Sequence, residues 1–292
     1  MTAPLETLIS ILDLETIDID IYRGRSTHHA LPRVFGGQVI GQSLVAAGRT
    51  VPADRPVHSL HAYFLRPGDQ SVPILYSVDR IRDGGSFTTR RVVASQKGEP
   101  IFSLAASFHV EEPGPEFQIT GPVVPPPEAC VSEPDFRDRV VRHLAESHSI
   151  FEGFWREDWP FEIRPVDPDA FMTPGARPPE LKAWIRVRHP LPPVRALHSE
   201  CLAYISDMLL LLTARLPMPT PMLDPGIMMV SLDHAMWFHG PVKADEWLLY
   251  SCDAPRLTGA RGLCRGMFFD RRGVLVASDA QEGLLRPLRP RG

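Results

Sequence analysis

The pentapeptide LYSVD, residues 75–79, recurs as LYSCD at residues 249–253, 174 positions further along the 292-residue chain. The same ungapped offset gives nine identities over the 41 positions from 67 to 107, where chance gives roughly two or three. We therefore interpret the two halves as diverged copies of one module of roughly 110 residues. The other identical positions are Pro67 and Pro241, Arg82 and Arg256, Gly85 and Gly259, Arg91 and Arg265, and Ala106 and Ala280.

Each copy shows the same order of hydrophobic patterns. An extended segment is followed by an almost wholly apolar helix, GGQVIGQSLVAAG at residues 36–48 and LAYISDMLLLLTARL at 202–216. Alternating segments separated by glycine turns come next, which indicates an antiparallel sheet. A helix that is apolar on nearly all sides is expected to be buried. We therefore expect an α+β protein in which a sheet wraps one long helix in each half, that is, a double hotdog fold.

A proline-rich segment separates the two copies. PGPEFQITGPVVPPP, residues 113–127, cannot form a regular element, and the residues from 134 to 155 have helical spacing of their apolar positions. The expected division is an N-terminal module at 1–112, a linker with a helix at 113–159, and a C-terminal module at 160–292 that carries the candidate site.

Composition and charge argue against several classes of protein. The net charge of −4 gives no broad basic surface, so we expect no nucleic-acid partner. The longest apolar run, residues 208–212, is too short to cross a bilayer, so no membrane partner is expected. Four cysteines without CxxC spacing, and an acidic N-terminus without the basic flank of a signal peptide, favour a cytoplasmic location.

Three polar residues stand out in the second copy. Asp207 lies among aliphatic residues, where a carboxylate is costly to desolvate unless it is paired; the alternative is a solvent-facing position on the edge of the helix. Ser231 and Gln281 lie in later strands, and the first copy does not repeat this set. One half is therefore predicted to carry a polar site and the other to supply scaffold. In the first copy, a loose helix alignment places Gly41 opposite Asp207. Val57 or Ser59 corresponds to Ser231, and Ser107 corresponds to Gln281.

The segment VSLDHAMWFHGP, residues 230–241, suggests two other kinds of site. A serine-hydrolase triad of Ser231, Asp233 and His234 is disfavoured, because adjacent strand residues point to opposite faces and no G-x-S-x-G turn is present. A metal site at His234 and His239 is also disfavoured, since no cysteine or third histidine lies nearby. We interpret Asp233 and both histidines as structural, and we expect neither a metal nor a cofactor.

Five long motifs follow one another along the chain: RVFGGQVIGQSLVAA, VHSLHAYFLRPGD, RDGGSFTTRRVVASQKGEPIFSLAASF, SLDHAMWFH and DEWLLYSCDAPRLTGARGLCRGMFFDRRGVLVASDAQEGLLR. Together they resemble the acyl-CoA thioesterase II family, from about residue 5 to residue 286. The resemblance implies a double hotdog fold and hydrolysis of acyl-CoA thioesters, usually of medium to long chain. It also implies catalytic roles for Asp207, Ser231 and Gln281, where this chain does not depart from the family pattern.

The mechanism that this resemblance implies is physically consistent. Asp207 would act as the general base on a water, while Ser231 and Gln281 would hold the water and the carboxylate in line. Backbone N–H groups at a helix N-terminus would face the thioester oxygen. The partner would be an acyl-CoA substrate whose phosphates meet arginines, and by analogy with other hotdog proteins a homodimer or homotetramer is expected.

Two other functions are weighed against this one. An enoyl-thioester hydratase of the same fold requires an Asp-His pair, but five apolar residues follow Asp207. A non-catalytic acyl-CoA binding protein would not need the set of Asp207, Ser231 and Gln281. Release of free CoA from palmitoyl-CoA distinguishes a thioesterase from both.

Overall fold

Strands from both halves of the chain form one continuous antiparallel sheet. The strands are β1 (Glu15–Asp18), β2 (Ile21–Gly24), β3 (Val57–Phe64), β4 (Ile74–Asp83), β5 (Phe87–Gln96), β6 (Glu99–His109), β7 (Phe161–Pro165), β8 (Glu180–Val187), β9 (Ile227–Ser231), β10 (Asp233–Phe238), β11 (Leu248–Thr258), β12 (Arg261–Asp270) and β13 (Leu275–Pro287). This computed structural model describes residues 3–26, 31–146, 151–173 and 175–288, and within them the sheet has thirteen strands. Their order is β1-β2-β4-β5-β6-β3-β10-β13-β12-β11-β8-β7, and β9 also pairs with β13.

Two buried helices lie side by side inside the sheet. α2 (Gly36–Gly48) is buried at every residue from 37 to 47, as its apolar sequence predicts. It packs against α5 (Arg195–Ser206), with Gly37 near Tyr204 and Gly41 near Glu200, so the two helices are antiparallel. A Cβ on Gly37 would lie 2.1 Å from the carbonyl oxygen of Tyr204, so the close crossing requires glycine there.

The remaining helices are α1 (Ala3–Leu12), α3 (Glu133–Glu146) and α4 (Glu152–Arg156), with 3-10 helices at Pro127–Ala129, Pro168–Phe171 and Leu210–Arg215. Residues 110–126 form neither helix nor strand, as their proline content predicts. The helix expected after them is divided into α3 and α4; residues 147–150 of that stretch lie outside the described part of the chain. No described helix is long and apolar enough to span a bilayer.

The strand register confirms the internal repeat. β3 and β10 pair at the centre of the sheet, and His61 lies opposite Ala235, 174 positions away. The element order also repeats, because α1, β1 and β2 precede α2 as α4, β7 and β8 precede α5. Each half thus presents an antiparallel sheet wrapped around a buried helix. The predicted α+β double hotdog fold is confirmed.

Two element boundaries expected from the sequence were wrong. The second apolar helix does not continue through Asp207 but ends at Ser206, and a 3-10 helix begins at Leu210. Ser231 and the pair Asp233 and His234, which were expected on one strand, lie on two strands, β9 and β10, which are separated at Leu232. Leu232 bridges both neighbours: its N–H donates to Glu282 and its carbonyl accepts from Phe64, at 2.9 Å each.

The equivalent of Gln281 in the first copy is Ala106, not Ser107. Gln281 pairs with Cys264 across β13 and β12, and the equivalent of Cys264 at the 174-residue offset is Arg90, which pairs with Ala106. The last strand of the second copy is therefore displaced by one residue relative to the ungapped alignment. A displacement of one residue exchanges the two faces of a strand.

Candidate active site

Asp207 lies immediately after α5, at its C-terminal cap. At the end of the helix, the carbonyl oxygen of Ser206 accepts a 2.9 Å hydrogen bond from the Tyr250 hydroxyl instead of a backbone N–H of a further helical turn. The Ser206 hydroxyl donates back to the Ala203 carbonyl at 2.9 Å. The turn that follows brings the Asp207 carboxylate out of the helix and toward the sheet.

Donors from three separate elements converge on the Asp207 carboxylate. Gln281 of β13 donates through Nε2 to Oδ1 at 2.9 Å, and the Ser231 hydroxyl at the end of β9 lies 3.3 Å from the same oxygen. The backbone N–H of Gly37 in the first turn of α2 is a third donor. The structure thus brings together all three residues predicted from the sequence and adds an amide from the first half.

The second carboxylate oxygen, Oδ2, takes neither of those two side-chain bonds and points toward the start of α2. A Cβ built on Gly36 would lie 2.4 Å from Oδ2, so only glycine leaves room for the carboxylate there. The N-terminus of a helix carries partial positive charge and unpaired N–H groups. This end of α2 therefore favours negative charge on and beside Asp207.

Burial raises the pKa of Asp207 from 3.8 to about 6, because the low-polarity surroundings disfavour the charged carboxylate. The hydrogen bonds from Gln281, Ser231 and Gly37 oppose this effect by stabilising the ionised form. The result is a carboxylate that is ionised at neutral pH yet more basic than an exposed aspartate. Such a pKa suits proton abstraction near neutrality.

Asp207 and Ser231 line a pocket of about 400 Å³ between the two halves. Its wall is mostly apolar, whereas Gln281 is completely buried behind Asp207 and does not reach it. The pocket is the right size for an acyl chain with a reacting group near the carboxylate. Its apolar lining includes Phe35, Val39, Phe64, Phe102, Phe154, Trp155, Met208, Leu211, Leu212 and Met229.

A second layer of polar groups supports Gln281. The His234 imidazole interacts with the Gln281 amide, and its Nε2 lies 2.9 Å from the Ser206 hydroxyl. Within the described residues, Oε1 of Gln281 and Nδ1 of His234 are buried without a hydrogen-bond partner. Burial lowers the pKa of His234 to about 4, so the ring is neutral at physiological pH. Because the Ser206 hydroxyl donates to the Ala203 carbonyl, the neutral His234 ring carries its proton on Nε2 and donates it to the Ser206 oxygen.

Asp279 is a buried carboxyl that sequence reasoning missed. It lies two residues before Gln281, on the same face of β13, with Oδ2 2.7 Å from the Tyr250 hydroxyl. Burial raises its pKa to about 8, and the nearby charge of Asp207 adds to the increase. Asp279 is therefore protonated at neutral pH. Its carboxyl group can then donate to the Tyr250 hydroxyl, which in turn donates to the carbonyl oxygen of Ser206.

Comparisons with known proteins point to one family. A family model described as acyl-CoA thioesterase matches residues 152–284, and one described as acyl-CoA thioesterase N-terminal domain matches residues 25–109. Human acyl-coenzyme A thioesterase 8 is 41% identical over 95% of this chain and 88% of its own length. Acyl-CoA thioesterase 2 of Haemophilus influenzae is 38% identical over 98% and 99%.

The chain belongs to the acyl-CoA thioesterase II family. It is a thioester hydrolase. A solved structure of an acyl-CoA thioesterase II from Mycobacterium marinum, TesB2, is 40% identical, covers 96% of this chain and 98% of its own, and superposes with a TM-score of 0.78. A hot dog fold protein of unknown function from Alicyclobacillus acidocaldarius, 17% identical with a TM-score of 0.74 over 97% and 99% of the two chains, shares the fold.

In this thioesterase the other polar residues of the segment 230–241 have structural contacts. Asp233 accepts a 2.7 Å bond from the backbone N–H of Glu282, and His239 lies 2.9 Å from the Ser278 hydroxyl. In the described part of the chain, no three His, Cys, Asp or Glu side chains cluster as metal ligands do. The contribution of the Gly37 amide could not be found from the sequence, because a backbone N–H group leaves no side-chain pattern.

Proposed function

We propose that the protein hydrolyses medium- to long-chain acyl-CoA thioesters to free fatty acid and CoA, with Asp207 as general base. The observation that carries this proposal is the Asp207 carboxylate itself. It opens onto an apolar pocket, three donors orient it, and its pKa is about 6. The length preference is supported by the apolar lining, which suits an acyl chain rather than a short polar acid.

The proposed reaction begins with a water held between Asp207 and Ser231. Oδ2 of Asp207 takes a proton from the water, whose oxygen attacks the thioester carbonyl carbon. The carbonyl oxygen becomes an oxyanion near the positive end of α2, where N–H groups stabilise it. When the intermediate collapses, the C–S bond breaks, and the proton held by Asp207 passes to the sulfur of CoA.

Ser231 and Gln281 have separate roles in this scheme. Gln281 is buried behind the carboxylate and bonds only Oδ1, so it orients Asp207 and lowers its pKa. Ser231 lines the pocket, and its hydroxyl can bond both the carboxylate and the water. This arrangement lowers the entropic part of the barrier, because the reacting groups are already aligned.

The hydratase alternative is less consistent with the pocket. Among the described residues, no histidine lines it, and His234, which lies behind Gln281, is buried and neutral. A hydratase that uses an Asp-His pair would need an imidazole in contact with the substrate.

We further infer that the enzyme acts in the cytoplasm and assembles into a homodimer or homotetramer. The location is supported by cysteines that are all unpaired. Apolar side chains exposed on the sheet, such as Ile81 and Tyr63, support association between subunits. Fractionation and sedimentation measurements test the two statements separately.

The substitution Asp207→Asn tests the assignment of the base. Asparagine has nearly the same shape but cannot accept the proton, so hydrolysis of palmitoyl-CoA, followed with a thiol reagent, should fall by about 10³-fold or more. Circular dichroism should show an unchanged fold. Turnover close to that of the wild type would rule out Asp207 as the base, and no release of CoA by the wild type would rule out the proposed substrate class.

A further inference from the structure

A second cavity, of about 440 Å³, lies at the opposite end of the α2–α5 pair. It is bounded by the C-terminal end of α2, the N-terminal end of α5 and the helix α1. The active-site pocket lies between the N-terminal end of α2 and the C-terminal end of α5. Because the two helices are antiparallel, the two cavities are related by the internal repeat.

Equivalent elements line the two cavities. α1 contributes Ile9 and Leu12 to the second cavity, just as α4 contributes Phe154 and Trp155 to the active-site pocket. Val57, which lies 174 positions before Ser231, lines the second cavity in place of the serine. A pocket of similar volume therefore lies at each end of the helix pair.

The groups needed for hydrolysis are missing from the second cavity. Val57 has no hydroxyl, and Ala106, the register equivalent of Gln281, has no amide. At the C-terminal cap of α2 stands Arg49, whereas the cap of α5 is Asp207. A cation therefore occupies the helix end that carries the carboxylate in the active site.

The charges around the cavity favour a ligand with one negative charge. Arg49 pairs with Asp13 and Arg195 pairs with Glu111, so these two arginines are neutralised. Arg55 contacts only the carbonyl oxygens of residues 84 and 85 and the hydroxyl of residue 88, and it has no carboxylate partner among the described residues. One guanidinium without a carboxylate partner among the described residues therefore borders the cavity.

Glu200 adds a hydrogen-bond donor to the same cavity. It lines the cavity beside α2, and burial raises its pKa to about 7, with Arg49 opposing the increase. A large fraction of its carboxyl groups is therefore protonated at neutral pH. A protonated carboxyl can donate to a ligand carboxylate, whereas an ionised one would repel it.

We propose that the second cavity binds a free fatty acid without reaction, with the acyl chain against α1 and α2 and the carboxylate beside Arg55. A compact head group with one charge matches the single uncompensated cation, whereas the several phosphates of CoA would need more. The identity of the ligand rests on the proposed hydrolysis, since a free fatty acid is its product. The binding site itself rests on the cavity and on its charges.

Isothermal titration of the full chain with dodecanoate tests this proposal, with hydrolysis of lauroyl-CoA measured in parallel. The wild type should bind two molecules per chain, one in each cavity. Ala196→Trp places an indole in the second cavity from an exposed position in the first turn of α5. This variant should bind one molecule and hydrolyse lauroyl-CoA at the wild-type rate.

Met229→Trp, which fills the active-site pocket instead, is the matched control. It should also bind one molecule but should lose hydrolysis. Dodecanol, which has no charge, should bind the second cavity at least about tenfold more weakly than dodecanoate, because the contact with Arg55 is lost.

Two results would overturn the proposal. The first is a single binding site that Met229→Trp removes and Ala196→Trp retains. The second is an Ala196→Trp variant that keeps both sites but changes the sedimentation coefficient, which would make the cavity part of a subunit interface. Absence of hydrolysis in the wild type together with two dodecanoate sites would contradict the proposed function alone.

Discussion

Replacing Gln281 with methionine should shift the pH dependence of hydrolysis toward alkaline pH. Methionine keeps the length and approximate volume of glutamine but removes the Nε2–H that donates to Asp207 at 2.9 Å. A hydrogen bond to a charged group contributes about 1.5–3 kcal/mol, and one pKa unit corresponds to about 1.4 kcal/mol. Because this bond stabilises the ionised form, its loss should raise the pKa of Asp207 by about one to two units.

The expected shift is large enough to change activity at neutral pH. With a pKa of about 6 in the wild type, about nine tenths of Asp207 is ionised at pH 7. A pKa of about 7 to 8 in Gln281→Met would leave roughly a half to a tenth ionised. The acid limb of kcat/KM should therefore move up by the same one to two units, and much of the activity should return above about pH 9.

The assay is the initial rate of lauroyl-CoA hydrolysis between about pH 5 and pH 10. The control is Gln42→Met, which removes another fully buried glutamine whose bonds go to Ile11 and Tyr76 rather than to Asp207. It should lower stability without moving the acid limb. An acid limb in Gln281→Met that coincides with the wild type would refute the statement that Gln281 sets the pKa of Asp207, even if the maximal rate fell.

Three further substitutions have defined outcomes. Gly36→Ala places a Cβ 2.4 Å from Oδ2 of Asp207 and should reduce kcat by about 100-fold, whereas Gly85→Ala, which has open space around it, should leave kcat unchanged. Asp207→Asn should be more stable than the wild type at pH 8 by about 1–3 kcal/mol in urea denaturation. This difference should vanish below about pH 4, because ionisation disfavours the folded state only as pH rises from 3.8 toward 6. His234→Phe should lower kcat about tenfold at unchanged KM, measured with lauroyl-CoA, because the Gln281 amide loses its contact with the imidazole.

The fold could be predicted because its signals are local and repeated. LYSVD and LYSCD lie at the same place in β4 and β11, and alternation with glycine turns identifies the antiparallel strands around them. The end of α5 could not be predicted in the same way. It depends on the Tyr250 hydroxyl, which lies 44 residues away in sequence. This hydroxyl donates to the carbonyl oxygen of Ser206, where a continued helix would place a backbone N–H.

The candidate site was predicted in part. Asp207, Ser231 and Gln281 were named from the sequence, and they meet within hydrogen-bond distance. The Gly37 amide and the contact between His234 and Gln281 could not be found, because both depend on how separate strands and helices are placed. The equivalence of Gln281 and Ser107 failed because an ungapped alignment cannot detect a one-residue displacement in a strand.

The two modules, whose strands β3 and β10 pair at the centre of the sheet, belong to one chain, and this has a genetic consequence. In a symmetric dimer of identical modules, any substitution appears in both subunits, so a change that improves one end of the helix pair is imposed on the other. Here the segment at 110–126 joins the modules in a single chain, and each end can change alone. Val57 and Ala106, which stand where the second half has Ser231 and Gln281, are differences of this kind: in a symmetric dimer they would remove both sites, but in a single chain they affect one.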